Sequence, residues 1–260
     1  MLTTLIFVLS TSYIAWYLEK HEIAAVYPFD ETYATPAQAG AQGLTEATVE
    51  TQDGARLIVW RAEAAADHPT VIYFSGNAGA LKDRAPRLAQ ISAEGYGVIA
   101  PAYRGSSGST GAPEEAVLVS DAIALAEGLQ GDVILYGESL GAAIAIRLAA
   151  DGIGQAVVLE APFTSLGDLV AAQFPTEDLT GILTQRWDSL SLMSALSQPL
   201  MVIHGETDRV VPHRMGRAIF EAAGSTDKTF LSVSEQGHNG LWTDAVRSDI
   251  FAFLQRDFRE

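Results

Sequence analysis

Short apolar runs alternate with segments of helical periodicity along most of this chain of 260 residues. The runs typical of strands buried on both faces are residues 70–74, 97–101, 133–136, 156–159, 200–204 and 229–233. Helical patterns occupy residues 81–94, the segment after Pro113, a segment from about 139, and residues 213–223 and 240–256. This alternation predicts an α/β fold with a mostly parallel central sheet and helices on both of its faces.

Two segments depart from the alternation. Residues 44–62 predict a β-hairpin, because apolar and polar residues alternate on either side of the turn pair Asp53-Gly54. Residues 163–195 are too long for one crossover helix, and apolar side chains recur there at helical spacing. These side chains are Leu166, Leu169, Val170 and Phe174 and, after Pro175, Leu179, Ile182, Leu183 and Trp187. We expect two short amphipathic helices that lie over the sheet as a lid; helices that only add packing are the alternative.

The amino-terminal segment has a different composition. Residues 2–18 carry no charge, and a helix of that length spans about 26 Å, the low end of what crosses a bilayer core. Trp16 and Tyr17 stand at one end, as interface anchors do. We predict that residues 1–24 are an uncleaved membrane anchor, that 25–43 are a linker and that 44–260 form the α/β domain. A cleaved signal and a soluble docking helix are the alternatives, and the flanking charges leave the orientation in the membrane open.

Charge and cysteine content exclude several classes of function. The chain has 32 acidic and 16 basic residues and a net charge of −16, so it lacks the basic patch typical of a nucleic-acid-binding protein. It contains no Cys, which excludes disulfide scaffolds, thiolate metal sites and Cys nucleophiles. There is no H-E-x-x-H motif either, and we expect neither a metal nor a cofactor.

A G-x-S-x-G pentapeptide, Gly137-Glu138-Ser139-Leu140-Gly141, lies between a predicted strand and a predicted helix. This is the context of a nucleophile elbow, a sharp turn that presents a serine hydroxyl at a helix N-terminus. The flanking glycines leave room for the neighbouring strand and helix. We therefore predict that Ser139 is the nucleophile.

A serine nucleophile needs a base and an acid that orients it, in the chain order Ser, Asp or Glu, His. His204, His213 and His238 follow Ser139, and only His238 lies in a glycine-flanked loop after the last strand. We expect His238 to be the base, His204 to pack at a strand end and His213 to lie at a helix start. The favoured acid is Asp208, just past the strand 200–204. Glu160, at the end of an earlier strand, and then Glu206 are the alternatives.

Two backbone N–H groups are expected to form an oxyanion hole. One is that of Leu140, immediately after the nucleophile, and the other is that of Asn77 in the glycine-containing loop after the strand 70–74. A simple strand-to-helix turn is the alternative for the Asn77 loop.

Several segments together resemble the Bem46-like group of α/β-hydrolases. They are Phe74-Ser75-Gly76-Asn77-Ala78-Gly79, Tyr103-Arg104-Gly105 through Glu115, Tyr136 through Gly141, Glu160 through Ser165, His204-Gly205-Glu206 with Asp208, and Gly237-His238-Asn239. This group is similar to the serine aminopeptidase and Hydrolase 4 families and includes membrane-associated hydrolases of the ABHD type. Two residues depart from its pattern: Ser75 replaces the usual His, and Ala102 the usual Asp.

The resemblance implies an α/β-hydrolase fold and serine-dependent hydrolysis of an ester, thioester or amide without metal or cofactor. We expect an acyl hydrolase of the carboxylesterase kind, acting on a small or lipid-like acyl substrate, with an oligomeric state that the sequence leaves open. The alternatives are an aminopeptidase-type amide hydrolase, a haloperoxidase-like or carbon–carbon-cleaving enzyme on the same triad, and a binding protein that keeps the fold without turnover.

Overall fold

The computed structural model describes residues 16, 20–175, 181–256 and 258. Within these residues an eight-stranded sheet has the order β1-β2-β4-β3-β5-β6-β7-β8. Its strands are β1 Thr45–Glu50, β2 Arg56–Ala62, β3 Thr70–Phe74, β4 Gly97–Pro101, β5 Val133–Glu138, β6 Ala156–Glu160, β7 Leu200–Gly205 and β8 Lys228–Val233. β2 is antiparallel to both β1 and β4. The other six strands, β3 to β8 in chain order, are parallel to one another. The sheet is thus mixed and mostly parallel, and the chain has the predicted α/β-hydrolase fold.

Helices cover both faces of the sheet. They are α1 Ala85–Ala93, α2 Glu115–Glu127, α3 Leu140–Ala150, α4 Leu166–Gln173, α5 Ser189–Leu192, α6 His213–Ala222 and α7 Asp244–Leu254. The helices α2, α3 and α6 bury their apolar side chains in one core cluster, and α1 and α7 bury theirs in the other. Successive residues of a strand point to opposite faces, so Leu135 lies in the first cluster and Tyr136 in the second.

The predicted hairpin is confirmed. β1 and β2 pair from Thr45–Arg61 to Glu50–Arg56. At the turn Gly54 has a φ of 81°, a left-handed conformation that favours glycine. The Asp53 carboxylate accepts two hydrogen bonds from the Arg104 guanidinium, which ties the turn to the body of the sheet.

Of the two helices predicted for residues 163–195, the first is confirmed and the second is wrong. α4 forms with the Ser165 side chain as its N-cap. Residues 181–188 are not helical, and Leu179 lies outside the described residues. The backbone N–H groups of residues 184–187 instead donate to two carboxylates, those of Glu22 and Glu115. Because these groups bond outside their own segment, they form no i→i−4 ladder, and the next helix begins only at Ser189.

The segment that precedes the hairpin packs against the domain. Residues 20–26 are helical, and residue 29, within the predicted linker, forms a β-bridge with Gly79. Of the predicted anchor, residues 1–24, only Trp16 and residues 20–24 are among the described residues, so most of its uncharged run, residues 2–18, lies outside them. Among the residues described, no helix has both the length and the apolar character needed to span a bilayer.

Candidate active site

Ser139 occupies a tight turn between β5 and α3. Its φ of 53° is in the left-handed region, which is uncommon for a residue with a side chain. A Cβ on Gly137 would overlap the backbone of Gly141 and Ala142, and a Cβ on Gly141 would overlap the carbonyl oxygen of Phe74. The two flanking glycines are therefore required by close backbone approach.

The structure brings Ser139, His238 and Asp208 together in one hydrogen-bonded chain. His238 Nε2 lies 3.1 Å from Ser139 Oγ, and His238 Nδ1 lies 2.8 Å from Asp208 Oδ2. The hydrogen bonds from His204 and His238 outweigh the effect of burial, which by itself raises the pKa, and hold the pKa of Asp208 well below its ordinary value. An ionised carboxylate only accepts hydrogen bonds, so Nδ1 of His238 carries the proton and Nε2 accepts from the serine hydroxyl.

Asp208 is held by its own loop as well as by the two histidines. Its Oδ1 accepts hydrogen bonds of 2.8 Å from the backbone N–H groups of both Val210 and Val211. With His238 on its Oδ2 at 2.8 Å and His204 Nε2 3.4 Å away, the carboxylate is fixed in one orientation.

The loop that carries His238 is tied to the end of β7. Thr207 donates two hydrogen bonds to the carbonyl oxygen of Gln236, one from its N–H and one from its hydroxyl. A Cβ on Gly205 would overlap the carbonyl oxygens of Gln236 and Gly237. Gly205 thus allows the His238 loop to lie close to the end of β7, which places His238 next to Ser139. The sequence analysis did not predict this role for Gly205.

The other candidate histidines have different partners. His204 is fully buried, and its Nε2–H donates to the carbonyl oxygen of Val211 at 2.9 Å. His213 begins α6 and bonds Ser232 Oγ, which in turn donates to Glu206. His204 therefore packs at a strand end as predicted, and Glu206 contacts the serine of β8 rather than His238.

Glu160, the alternative acid, belongs to a buried ionic cluster behind the elbow. Arg87 Nη1 lies 2.8 Å from Glu160 Oε2, which also accepts from the Tyr136 hydroxyl. Arg87 stacks over the Trp242 ring at 4.6 Å. The two carboxylate oxygens of Glu160 are thus directed at Arg87 and away from His238, although its carbonyl oxygen accepts from the N–H of Ser139.

The same cluster connects the elbow to the loop after β3. Arg84 forms a two-pronged pair with the Glu138 carboxylate and also donates to the carbonyl oxygen of Ala78. Burial raises the pKa of Glu138, but the charges of Arg84 and Arg87 outweigh it and lower the pKa below its ordinary value. Nothing in the sequence pattern singled out Arg84 or Arg87, because each contacts residues more than 50 positions away.

Asn77 and Leu140 both line the space in front of Ser139. The Asn77 side chain is engaged, because its Nδ2 donates to the carbonyl oxygen of Val26 at 2.9 Å. Leu140 is the first residue of α3, where a backbone N–H has no partner within the helix. The loop is further held by the Tyr103 hydroxyl, which donates to the carbonyl oxygen of Ser75 at 2.7 Å.

A cavity of about 240 Å³ opens at Ser139 and is lined almost entirely by apolar side chains. α4 supplies Leu166, Leu169 and Val170, and the buried residues Phe163 and Trp187 also line the cavity. Val210 and Val211 come from the Asp208 loop. Ala25 and Val26 of the amino-terminal helical segment, which were predicted to belong to the linker 25–43, also line the cavity. Among the described residues, no cluster of His, Asp and Glu side chains is arranged to hold a metal ion.

Comparisons with known proteins agree on one family. The model of the alpha/beta hydrolase family matches residues 72–223. The protein bem46 of Schizosaccharomyces pombe is 30% identical over 246 residues, which are 86% of this chain and 82% of that protein. An uncharacterized membrane protein of Saccharomyces cerevisiae is 28% identical over 227 residues, 81% of this chain and 78% of its own length.

Two further matches carry names that state an activity. The lysophosphatidylserine lipase ABHD12 of Rattus norvegicus is 30% identical over 191 residues, 64% of this chain but only 48% of that lipase. The solved structure of the Pyrococcus furiosus esterase Pf2001 superposes with a TM-score of 0.73 at 18% identity, over 89% of this chain and 98% of that one. At that identity the superposition establishes the fold.

Proposed function

This chain belongs to the alpha/beta hydrolase family, and on that basis we propose that it is a serine hydrolase that cleaves esters of apolar acyl groups. The observation that carries the proposal is the chain of hydrogen bonds from Asp208 through His238 to Ser139, at the mouth of an apolar cavity. A nucleophile, a base and an orienting acid in this relation are what acyl transfer requires.

The reaction has two halves. Ser139 Oγ attacks the substrate carbonyl carbon while His238 Nε2 takes its proton, and ionised Asp208 stabilises the imidazolium. His238 then gives the proton to the leaving alcohol as the carbon–oxygen bond breaks, which leaves the acyl group on Ser139. In the second half a water molecule replaces the alcohol. It loses a proton to His238 as it attacks the acyl carbon, the bond between that carbon and Ser139 Oγ breaks, and His238 returns the proton to Oγ as the acid leaves.

Negative charge develops on the carbonyl oxygen in both halves. We assign its stabilisation to the backbone N–H groups of Asn77 and Leu140, which flank Ser139 at the end of β3 and the start of α3. Such donors act strongly in a site that is already organised and sheltered from water.

An ester of an apolar acyl group is favoured by the lining of the cavity. Leu166, Leu169 and Val170 offer an acyl chain apolar contact and no charge. The rat relative is named as a lipase of a lysophospholipid, a carboxylic ester with one long acyl chain. An aminopeptidase would need a group that binds the substrate ammonium, and the cavity lining contains no acidic side chain.

Labelling with a fluorophosphonate probe tests the proposal. The full-length chain should hydrolyse p-nitrophenyl esters, and should lose this activity when the probe reacts with it. Ser139→Ala should neither react with the probe nor hydrolyse the esters, and it should keep the thermal unfolding midpoint of the parent. Loss of the hydroxyl in comparable triads lowers the rate by about 10⁴- to 10⁶-fold. Activity of Ser139→Ala above about a tenth of the parent's would move the nucleophile elsewhere, and a parent that neither reacts nor turns over esters would favour a binding protein.

We also propose that residues 2–18 anchor the enzyme to a membrane. The segment is uncharged and ends in Trp16 and Tyr17. One relative is itself named a membrane protein. The full-length chain should be recovered with membranes and resist extraction by high salt or alkaline carbonate, whereas recovery of the uncleaved chain in the soluble fraction alone would contradict the anchor.

A further inference from the structure

The helical segment 20–26 packs against the active site, although residues 20–24 fall within the predicted anchor. Glu22 is only 7% exposed, and its carboxylate accepts from the N–H groups of Thr184 and Gln185 and from the Thr184 hydroxyl, at 2.6–3.0 Å. A buried carboxylate is costly unless its oxygens are bonded, and here both are. Glu22 therefore fixes residues 184–185 against the amino-terminal segment.

Tyr27 extends this attachment towards the cavity. Its hydroxyl donates to Gln185 Oε1 at 2.6 Å and accepts from Trp187 Nε1 at 2.9 Å. Burial is the main cause that raises the pKa of Tyr27, so its hydroxyl keeps the proton that it donates. Trp187 is itself a wall of the cavity.

A further hydrogen bond places the amino-terminal segment next to Ser139. Asn77 Nδ2 holds the carbonyl oxygen of Val26, so the segment is tied to the loop beside Ser139 as well as to residues 184–187. Ala25 and Val26 then face the same cavity as Leu169 and Phe174 of the α4 region. An acyl chain attached to Ser139 would pass between these two walls.

We propose that Ala25 and Val26 form a selectivity wall that contacts the acyl chain, with Glu22 acting as a positioning residue. This inference rests on the proposed function and goes beyond it, because it assigns the choice of acyl length to a segment outside the domain predicted to be catalytic. The ligand class is a linear, uncharged acyl chain. A segment continuous with residues 2–18 thus contributes directly to the pocket.

The first test narrows the cavity at Ala25. Ala25 lines the cavity, whereas the adjacent Ala24, which is also exposed, does not. In the full-length chain Ala25→Trp should lower kcat/KM for the octanoyl p-nitrophenyl ester by about tenfold or more, as expected when two or more methylenes lose their apolar contact. kcat/KM for the acetyl ester should stay within about twofold, because an acetyl group is too short to reach that contact. Ala24→Trp, the matched control, should change neither value.

A second test removes the positioning carboxylate. Glu22→Gln places an amide N–H₂ where the carboxylate accepts from Thr184 and Gln185, so we expect the octanoyl-to-acetyl ratio to fall several-fold while acetyl turnover persists. The exposed Glu31→Gln controls for the loss of one negative charge. If Glu22→Gln does not fold, the comparison of Ala25→Trp with Ala24→Trp still tests the selectivity wall.

The outcomes separate this inference from the proposed function. If the parent hydrolyses esters through Ser139 but Ala25→Trp lowers the octanoyl and acetyl values equally, or lowers neither, the selectivity wall is wrong and the hydrolase assignment stands. If Ser139→Ala retains turnover, the proposed function fails first. A selective loss of octanoyl turnover in Ala25→Trp, absent from Ala24→Trp, supports the wall.

Discussion

Asp208 and Glu160 lie at the same edge of the sheet, yet their surroundings direct them to different tasks. Asp208 accepts from His238, whereas Glu160 is paired with Arg87 in the interior. Asp208→Asn should lower kcat about 10⁴-fold with the fold intact, because an amide no longer fixes the productive tautomer of the imidazole. Steady-state kinetics together with circular dichroism would measure both effects.

Glu160→Gln is the matched comparison for Asp208→Asn. It leaves Arg87 in the interior with only its longer ion-pair contact to Glu138, at 3.8 Å, so we expect the free energy of unfolding to fall by roughly 3 kcal/mol with a much smaller change in kcat. Urea unfolding measures the change in the free energy of unfolding. The reverse ranking of the two variants in kcat would make Glu160 the orienting acid.

At Asn77 the backbone and the side chain have separable roles. Asn77→Ala removes the hydrogen bond to Val26 and should cost about 1 kcal/mol of stability with little change in kcat. Asn77→Pro also deletes the proposed oxyanion donor and should lower kcat by about 10²- to 10³-fold. Equal kcat losses in both variants would instead assign the oxyanion contact to the side chain.

Among the structural elements, the elbow and the loop after β3 are coupled through a single ion pair. Arg84 bonds Glu138 next to the nucleophile and Ala78 next to Asn77. The two proposed oxyanion donors, at Asn77 and Leu140, are thus held at a fixed separation by side chains behind them. The loop that carries Ser75 is also held by the Tyr103 hydroxyl, which donates to the carbonyl oxygen of Ser75.

The ion pair should also make stability depend on pH. The pKa of Glu138 is lowered in the folded state, so it contributes stability above its unfolded pKa of about 4.3, and this contribution is lost as the pH falls through the lower folded value. Glu138→Gln should lower the unfolding midpoint at pH 7 and by progressively less at acidic pH. Thermal unfolding from pH 7 to pH 3 measures the difference, and a difference that does not narrow would contradict the coupling.

At the scale of the whole molecule, residues 20–27 connect the proposed membrane anchor to the wall of the active-site cavity. The sequence alone predicts that deletion of residues 1–24 leaves a soluble enzyme still active on short soluble esters, because no triad residue lies there. The structure adds an expectation for stability and for longer esters, because Glu22 and Tyr27 hold residues 184–187. We now expect that a chain beginning at residue 20 keeps the parent unfolding midpoint and octanoyl-to-acetyl ratio, whereas one beginning at residue 28 loses several degrees and the preference for the longer ester.

The two truncations share the absence of residues 2–18, so a difference between them isolates residues 20–27. Differential scanning fluorimetry and the same two esters provide the comparison. If the two truncated chains have the same unfolding midpoint and the same octanoyl-to-acetyl ratio, residues 20–27 only connect residues 2–18 to the domain.

The sequence by itself determined the order of the strands and of the helices that cover the sheet, the position of the elbow, and the residues predicted to act with Ser139. These follow from local periodicity and from motifs whose residues are neighbours in the chain, such as Gly137 through Gly141. A parallel sheet also brings the carboxyl ends of its strands to one edge, so the grouping of Ser139, Asp208 and His238 could be predicted from their order alone.

Only the tertiary structure decided what surrounds that group. Residues 181–188 have a helical pattern, but the carboxylates of Glu22 and Glu115 accept the N–H groups of residues 184–187, which therefore form no helical ladder. Arg87 joins Glu160 across 73 positions, and Glu22 joins Gln185 across 163. Such contacts leave no periodicity in the sequence, because a hydrogen bond depends on distance in space and the chain fixes that distance only once the sheet and its helices have packed.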